Sequence, residues 1–344
     1  MAPPAGPHLR AYGYATDMIA AAPPDPFRFH GGRLVAAAGR FKSAPAPWID
    51  LSTGISPWAY PVPEVTADIW GRLPEPEQIA RLERAAAEAF GVTKPAEIVA
   101  VPGSDLAIRL LGTLFPNSQG ALLTPIYSGH RAAWPDAVEI SRDEADDHDL
   151  VILANPNNPD GRIVSPARLR ALRGQIIVDE AFADTEPAVS LLPDRGDAII
   201  LRSFGKFYGL AGIRLGFVIA DVPIVERLRH VLGDWPVSAI ATTVGIAAYQ
   251  DGNWQEHQRK RLGEAASRLD RLLEDSGLRI IGGTSLFRLA IHDKARELFE
   301  YLGRSGILVR PFSEEEQQLR FGLPANEAEW QRLTNALDSW RDMQ

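Results

Sequence analysis

Cysteine is absent from this chain. Its absence excludes disulfides, thiolate nucleophiles and cysteine-based zinc sites, and it fits a reducing cytoplasm. No metal site is expected. An excess of basic charge is also lacking: Lys+Arg number 36 against 44 Asp+Glu, a net charge of -8. That balance favours solubility and does not point to nucleic acid. No apolar stretch approaches the roughly 20 residues that a membrane span needs. Met1 to Pro7 lack the basic start and apolar run of a signal peptide. No Gly-x-Gly-x-x-Gly follows the first strand-like run, so the dinucleotide fingerprint is missing too.

What is present is an ordinary globular composition, 45% hydrophobic and 23% charged over 344 residues. That suffices for one large domain or two of usual size. Residues 1 to about 47 are rich in Pro, Gly and Ala, show little periodicity and read as an irregular arm. Residues 77–90 place Ile79, Leu82, Ala86 and Phe90 at helical spacing and stop at Gly91. Residues 106–114 are a second helix candidate. Short apolar runs at 98–101, 121–123, 150–154, 176–178, 198–201 and 217–220 fit strands buried on both faces of a mostly parallel sheet. After Asp221 the style changes. Helices are expected at 222–232, 237–249, 254–273, 294–304 and 327–340, with strands at 279–281, 286–291, 307–309 and 319–321. The expected fold class is α/β: a three-layer large domain over about 48–232, and a smaller α+β domain joining residues 1–47 to 233–344.

The most informative stretch is Ser203-Phe204-Gly205-Lys206-Phe207-Tyr208-Gly209-Leu210-Ala211-Gly212-Ile213-Arg214-Leu215-Gly216. It lies between two strand-like runs. A lysine at the end of a buried strand can lose its proton and attack an aldehyde as a free amine. Ser203 and Arg214 are the donor types that an anchoring phosphate needs. Together they suggest a lysine that carries pyridoxal 5'-phosphate.

Other polar residues also fall at expected strand ends, where open α/β sheets place their ligands. Asp179 follows 176–178 and could pair with a cationic ring nitrogen, or simply cap a helix. Asn155-Pro156-Asn157-Asn158-Pro159-Asp160-Gly161 presents amide side chains on a stiff turn, or is only a turn. Gly103-Ser104-Asp105 opens a helix whose free N–H groups suit a phosphate, or is an ordinary cap. Tyr127 could lie on a flat ring or pack in the core.

The order of these pieces resembles the fold-type I pyridoxal-phosphate enzymes, the aspartate aminotransferase superfamily, and within it the histidinol-phosphate aminotransferase branch. The resemblance covers roughly residues 48–322 and includes Arg320 in Leu319-Arg320-Phe321-Gly322. It implies that Lys206 carries the cofactor and that Asp179 keeps the pyridine nitrogen protonated. It places Asn158 on the ring hydroxyl and Tyr127 on the ring face. Gly103, Ser104, Asp105, Ser203 and Arg214 would surround the phosphate, and Arg320 would take the substrate carboxylate. Tyr60 would reach the phosphate of a neighbouring subunit, in a homodimer.

Four features depart from the common pattern of that branch. Asp160 stands where Thr is usual. Phe182, in Asp179-Glu180-Ala181-Phe182, stands where most aminotransferases have a ring-bonding Tyr. The loop Leu51-Ser52-Thr53-Gly54-Ile55-Ser56-Pro57 and the start His30-Gly31-Gly32 are unusual for it. The last three instead resemble the L-threonine-O-3-phosphate decarboxylases of cobalamin biosynthesis. That resemblance implies a cytoplasmic enzyme acting on a small phosphorylated amino acid, with Arg310, Arg320 and His30 as candidates for the substrate's anionic groups. The alternative is an aminotransferase for histidinol phosphate or a related phosphorylated amine. A non-catalytic effector domain is disfavoured, because residues 1–47 carry no basic helix-turn-helix pattern.

Overall fold

A computed structural model of the chain describes residues 25–27, 30–115 and 120–344. Residues 1–24 of the expected arm lie outside them. The strands in chain order are β1 (Ile49–Asp50), β2 (Ile98–Val101), β3 (Gly120–Leu123), β4 (Val138–Ile140), β5 (Leu150–Ala154), β6 (Gln175–Asp179) and β7 (Ile199–Ser203). They continue with β8 (Gly216–Ile219), β9 (Arg279–Thr284), β10 (Phe287–Ile291), β11 (Ile307–Leu308), β12 (Arg310–Pro311) and β13 (Gln318–Gly322).

Seven strands form one sheet in the order β2-β8-β7-β6-β5-β3-β4. All neighbours are parallel except that β8 runs against both β2 and β7. The reason lies in the side chains. Residues alternate between two apolar layers, with Val151, Leu153, Ile176, Val178 and Ile200 on one side. Ile152, Ile177, Ile199 and Leu201 face the other. A strand apolar at every position has to be covered on both faces, and helices do this. Pro76–Phe90 and Ala239–Gln250 cover the first face. Ser104–Leu114 and Val222–Leu232 cover the second. Helix Pro76–Phe90 stops where Gly91 adopts φ 72°, the left-handed turn expected there.

A second sheet, β12-β13-β10-β9, is antiparallel throughout. Helices Gly252–Asp275, Ala295–Arg304 and Glu327–Asp342 accompany it. The short parallel pair β1–β11 ties residue 49 to residue 307. Several short elements were not expected from the sequence, among them β1 and two others. Leu34–Arg40 is a helix inside the stretch expected to be irregular; its seven residues, Leu-Val-Ala-Ala-Ala-Gly-Arg, are too few to show a period. β4 is a partly exposed edge strand that lacks the apolar run of its neighbours. Among the described residues no helix is long and apolar enough to cross a membrane.

Candidate active site

β7 ends at Ser203 and β8 begins at Gly216, and these two residues face each other in register. The intervening residues therefore form a closed excursion beyond the end of β7. Lys206 sits in the four-residue helix Phe204–Phe207 at its start. Its backbone is held by the Ser56 N–H, which donates to the Lys206 carbonyl at 2.9 Å. Its ammonium value is lowered to about 8, first by burial and then by Arg320, with Asp179 opposing. A substantial neutral fraction at mildly alkaline pH makes this amine a nucleophile.

Beside it lies a cradle for an anion. Gly103, with φ 89°, precedes helix Ser104–Leu114, whose first N–H groups have no side-chain cap. A Cβ on Gly103 would stand 2.6 Å from Arg214 Nη2, so only glycine lets the guanidinium close over the helix start. A Cβ on Gly216 would stand 2.8 Å from the Ser104 nitrogen. Arg214 is itself held at φ 58°, the one non-glycine residue among those described with a positive φ. Ser203 is buried at the adjoining strand end.

Asp179 closes β6. Its Oδ1 accepts from the Ala181 N–H at 3.1 Å, and its Oδ2 lies 3.1 Å from His130 Nε2. His130 is fully buried, stacks on Trp134 and has no partner for Nδ1 among the described residues. Tyr127 stands nearby, and its hydroxyl donates to Asp105 Oδ1 at 3.1 Å. Burial and then Asp105 push the phenol up to about 12, so it remains a donor. The other Asp105 oxygen accepts from Arg109 Nε at 3.3 Å. Asp105 thus gives its carboxylate to Tyr127 and Arg109.

The second sheet supplies the cations. Arg310 and Arg320 are both buried and are direct neighbours across β12 and β13. Arg320 donates to Asn158 Oδ1 at 2.5 Å and to the Ser52 carbonyl at 3.1 Å. Burial, then Arg310, lowers its value to about 9, with Asp50 opposing. Burial lowers Arg310 to about 10, with Tyr127 opposing. Asn158 accepts from Arg320, which leaves its amide N–H groups as donors. His30 lies with its ring centroid 6.0 Å from that of Tyr127. Its value is lowered, first by burial and then by Arg310 and Arg33, which favours the neutral imidazole. Phe182 is buried, with its ring centroid 5.8 Å from Lys206 Nζ.

The structure therefore brings Lys206, Asp179, Asn158, Tyr127, Arg214 and the two arginines into one neighbourhood. Tyr60 is the exception within this chain: its hydroxyl donates to Asp251 Oδ2 at 3.4 Å, and burial with Asp251 raises its value. Sequence reasoning missed His130. Its signal was a histidine three residues beyond Tyr127, with the His130 N–H bonded to the Tyr127 carbonyl. It also passed over Asp50 and Ser52 as individual residues. Among the described residues no group of His, Asp or Glu could hold a metal.

These residues fit pyridoxal 5'-phosphate. The glycine cradle beneath Arg214 matches a phosphate, the partly neutral lysine an aldehyde, and the buried acid a ring nitrogen. Residues 133–337 match the family model for aminotransferase class I and II. The chain belongs to that family. It is 40% identical over 330 residues to a threonine-phosphate decarboxylase of Pseudomonas aeruginosa, covering 91% of this chain and 98% of that one. It is 39% identical over 326 residues to a threonine-phosphate decarboxylase of a Sinorhizobium species, covering 90% and 97%. Among solved structures, the fold is similar to that of a histidinol-phosphate aminotransferase from Sinorhizobium meliloti in complex with pyridoxal-5'-phosphate. That match has a TM-score of 0.79 at 22% identity, over 97% of this chain and 99% of that one. The α/β class expected from the sequence is the class observed.

Proposed function

We propose that this protein removes the carboxylate of L-threonine O-3-phosphate as carbon dioxide, giving 1-amino-2-propanol phosphate for cobalamin biosynthesis. Pyridoxal 5'-phosphate is its cofactor. The observation that carries this reading is the 40% identity to a curated threonine-phosphate decarboxylase across nearly that protein's whole length.

When bound, the cofactor supplies an electron sink for the bond broken at the substrate α-carbon. The chain's own groups supply the rest. Lys206 Nζ would hold the cofactor's aldehyde carbon at rest and, once the substrate amine has taken its place there, would carry the proton that replaces the lost carboxylate on the α-carbon. Asp179, braced by His130, holds the proton of the ring nitrogen. Asn158 would donate toward the ring hydroxyl, and Tyr127 would cover the ring face. Gly103, Ser104, Asp105, Ser203 and Arg214 enclose the cofactor phosphate, the first three through the helix N-terminus. Arg320 and Arg310 offer buried positive charge to the substrate's carboxylate and phosphate, with His30 as a neutral donor. Phe182 offers no proton where most aminotransferases have a phenol, and this separates the site from ordinary amino transfer.

The protein acts as a cytoplasmic homodimer in this reading, with Tyr60 reaching the partner's cofactor phosphate. The cofactor is held by residues 48–232, and residues 1–47 with 233–344 form the smaller domain. Purified protein loaded with cofactor should absorb in the visible range, and Lys206→Ala should abolish the band. The loaded protein should release carbon dioxide from O-phospho-L-threonine. Turnover of histidinol phosphate with 2-oxoglutarate in its place would overturn the assignment in favour of an aminotransferase.

A further inference from the structure

Two sequence features remain without a role: the loop that begins Asp50-Leu51-Ser52 and the glycines that follow His30. The structure joins them. Ser52 is buried, and its hydroxyl accepts from the Gly32 N–H at 2.8 Å. The same hydroxyl donates to Asp50 Oδ1 at 2.5 Å, and the Ser52 N–H donates to that oxygen at 2.9 Å. The Ser52 carbonyl accepts from Arg320 Nη2 at 3.1 Å. One residue thus holds the His30 arm with its side chain and a site arginine with its backbone.

The glycine before the clasp is required by space. A Cβ on Gly31 would stand 2.2 Å from the Ser52 carbonyl oxygen and 2.9 Å from its hydroxyl, which no relaxed structure accepts. Gly32 has φ 73°, which other residues rarely adopt. The two glycines let the arm lie flat on the loop and turn beside it. The loop is fixed from below: the Leu51 N–H donates to the Leu308 carbonyl, and the Gly322 N–H donates to the Leu51 carbonyl at 2.7 Å. Gly322 ends β13, the strand that carries Arg320, and Leu308 ends β11, two residues before Arg310 opens β12. The arm, the loop and the arginine pair are therefore registered to one another by consecutive hydrogen bonds.

We propose that Asp50 and Ser52 are a positioning pair that fixes His30 beside the arginine pair and so makes the site selective for phosphorylated amino acids. Neither touches the substrate in this arrangement; they act through the arm. The proposal rests on the decarboxylase reading above, in which His30 meets the substrate's phosphate.

The test uses the full chain loaded with cofactor and the variants Ser52→Ala and Asp50→Asn. Ser52→Ala removes the hydroxyl that holds Gly32 but leaves the carbonyl that holds Arg320. Asp50→Asn retains an oxygen able to accept from Ser52 and serves as the conservative control. Hydrogen–deuterium exchange of the Gly32 amide should accelerate about tenfold or more in Ser52→Ala, the scale of one lost hydrogen bond, and less in Asp50→Asn. The KM for O-phospho-L-threonine should rise by about tenfold while kcat at saturation stays within about twofold, because only ground-state placement of the phosphate is lost. Preference for O-phospho-L-threonine over threonine should fall by a similar factor. Unchanged exchange at Gly32 would overturn the clasp. Faster exchange with an unchanged substrate preference would overturn its positioning role. Failure of the decarboxylase reading shows differently, as wild-type protein that releases no carbon dioxide. The exchange measurement still decides the clasp in that case.

Discussion

Arg202, on β7 of the large sheet, and Arg320, on β13 of the second sheet, are both buried arginines, and their partners differ in charge. Arg202 sits on β7 between two carboxylates, Glu180 at 3.1 Å and Asp184 in a close ion pair. Its guanidinium also lies 4.4 Å from the Phe90 ring centroid. Burial works against its charge, yet Asp184 and Glu180 together hold it more firmly protonated than usual. Arg320 bonds only to neutral oxygens, those of Asn158 and Ser52, and forms no ion pair among the described residues. Burial lowers its value to about 9. A cation matched by anions is structural. One supported by neutral oxygens keeps its charge for a ligand, and the strained electrostatics mark the functional member.

Exchanging both residues for glutamine should pull activity and stability apart. The largest effect is expected from Arg320→Gln, with kcat/KM for O-phospho-L-threonine reduced about a thousandfold, as for loss of a buried charged contact. Its stability should hold or rise. A cation whose folded value lies below its unfolded one burdens the fold at every pH below the folded value, so removal at pH 7 relieves it. Arg202→Gln should do the reverse. It leaves Glu180 and Asp184 buried without their cation, for a loss of about 3–5 kcal/mol by denaturant unfolding. A functional Arg202→Gln protein of unchanged stability would break the comparison.

The two arginines also differ in how far the sequence discloses them. Arg202 stands between the apolar run 198–201 and the lysine-bearing run that starts at Ser203, so it is placed with its strand. The cofactor side of the site is local in this way: Ser203, Lys206 and Arg214 lie within twelve residues, and each strand announces itself as an apolar run. Arg320 is different. Its partners Asn158 and Ser52 are 162 and 268 residues away along the chain. No spacing rule reaches that far, and only the family resemblance marked the residue. His130 was hidden for another reason. A single histidine on a six-residue helix has no pattern, and its meaning comes from Asp179, 49 residues on. The helix Leu34–Arg40 was lost in its Ala-rich surroundings. The two-residue strand β1 was unreadable because its pairing partner is β11, far along the chain.

Lys206 extends the comparison to a cation that has to give up its proton. Its value of about 8 arises from burial and from Arg320, against an ordinary value near 10.5. The neutral amine is the reactive form. The rate of covalent cofactor loading, followed by the visible band, should therefore climb about tenfold per pH unit below 8 and level off above it. In Arg320→Gln one source of the depression is gone. The break should then move upward, toward the ordinary lysine range. A break that stays near 8 in that variant would leave the shift to burial and Arg214 and remove Arg320 from the electrostatics of the lysine.

The smallest effect concerns Asp179, which turns the comparison to an acid. It lacks an arginine or lysine partner among the described ion pairs and is held instead by His130 Nε2 and the Ala181 N–H. The histidine cannot swing away, because it is fully buried and stacked on Trp134. It therefore fixes one carboxylate oxygen while leaving the charge available to a ring nitrogen. His130→Phe removes that donor without opening a large cavity, and should lower kcat about tenfold with a smaller change in KM, the worth of one positioning hydrogen bond. His130→Gln carries an amide N–H at similar reach and should recover most of the loss. A packing role predicts that the two variants rank by melting temperature. A positioning role predicts that they rank by the pH dependence of the visible band, with Phe displaced and Gln near wild type. Equal bands in both variants would leave Asp179 oriented by its backbone contact alone.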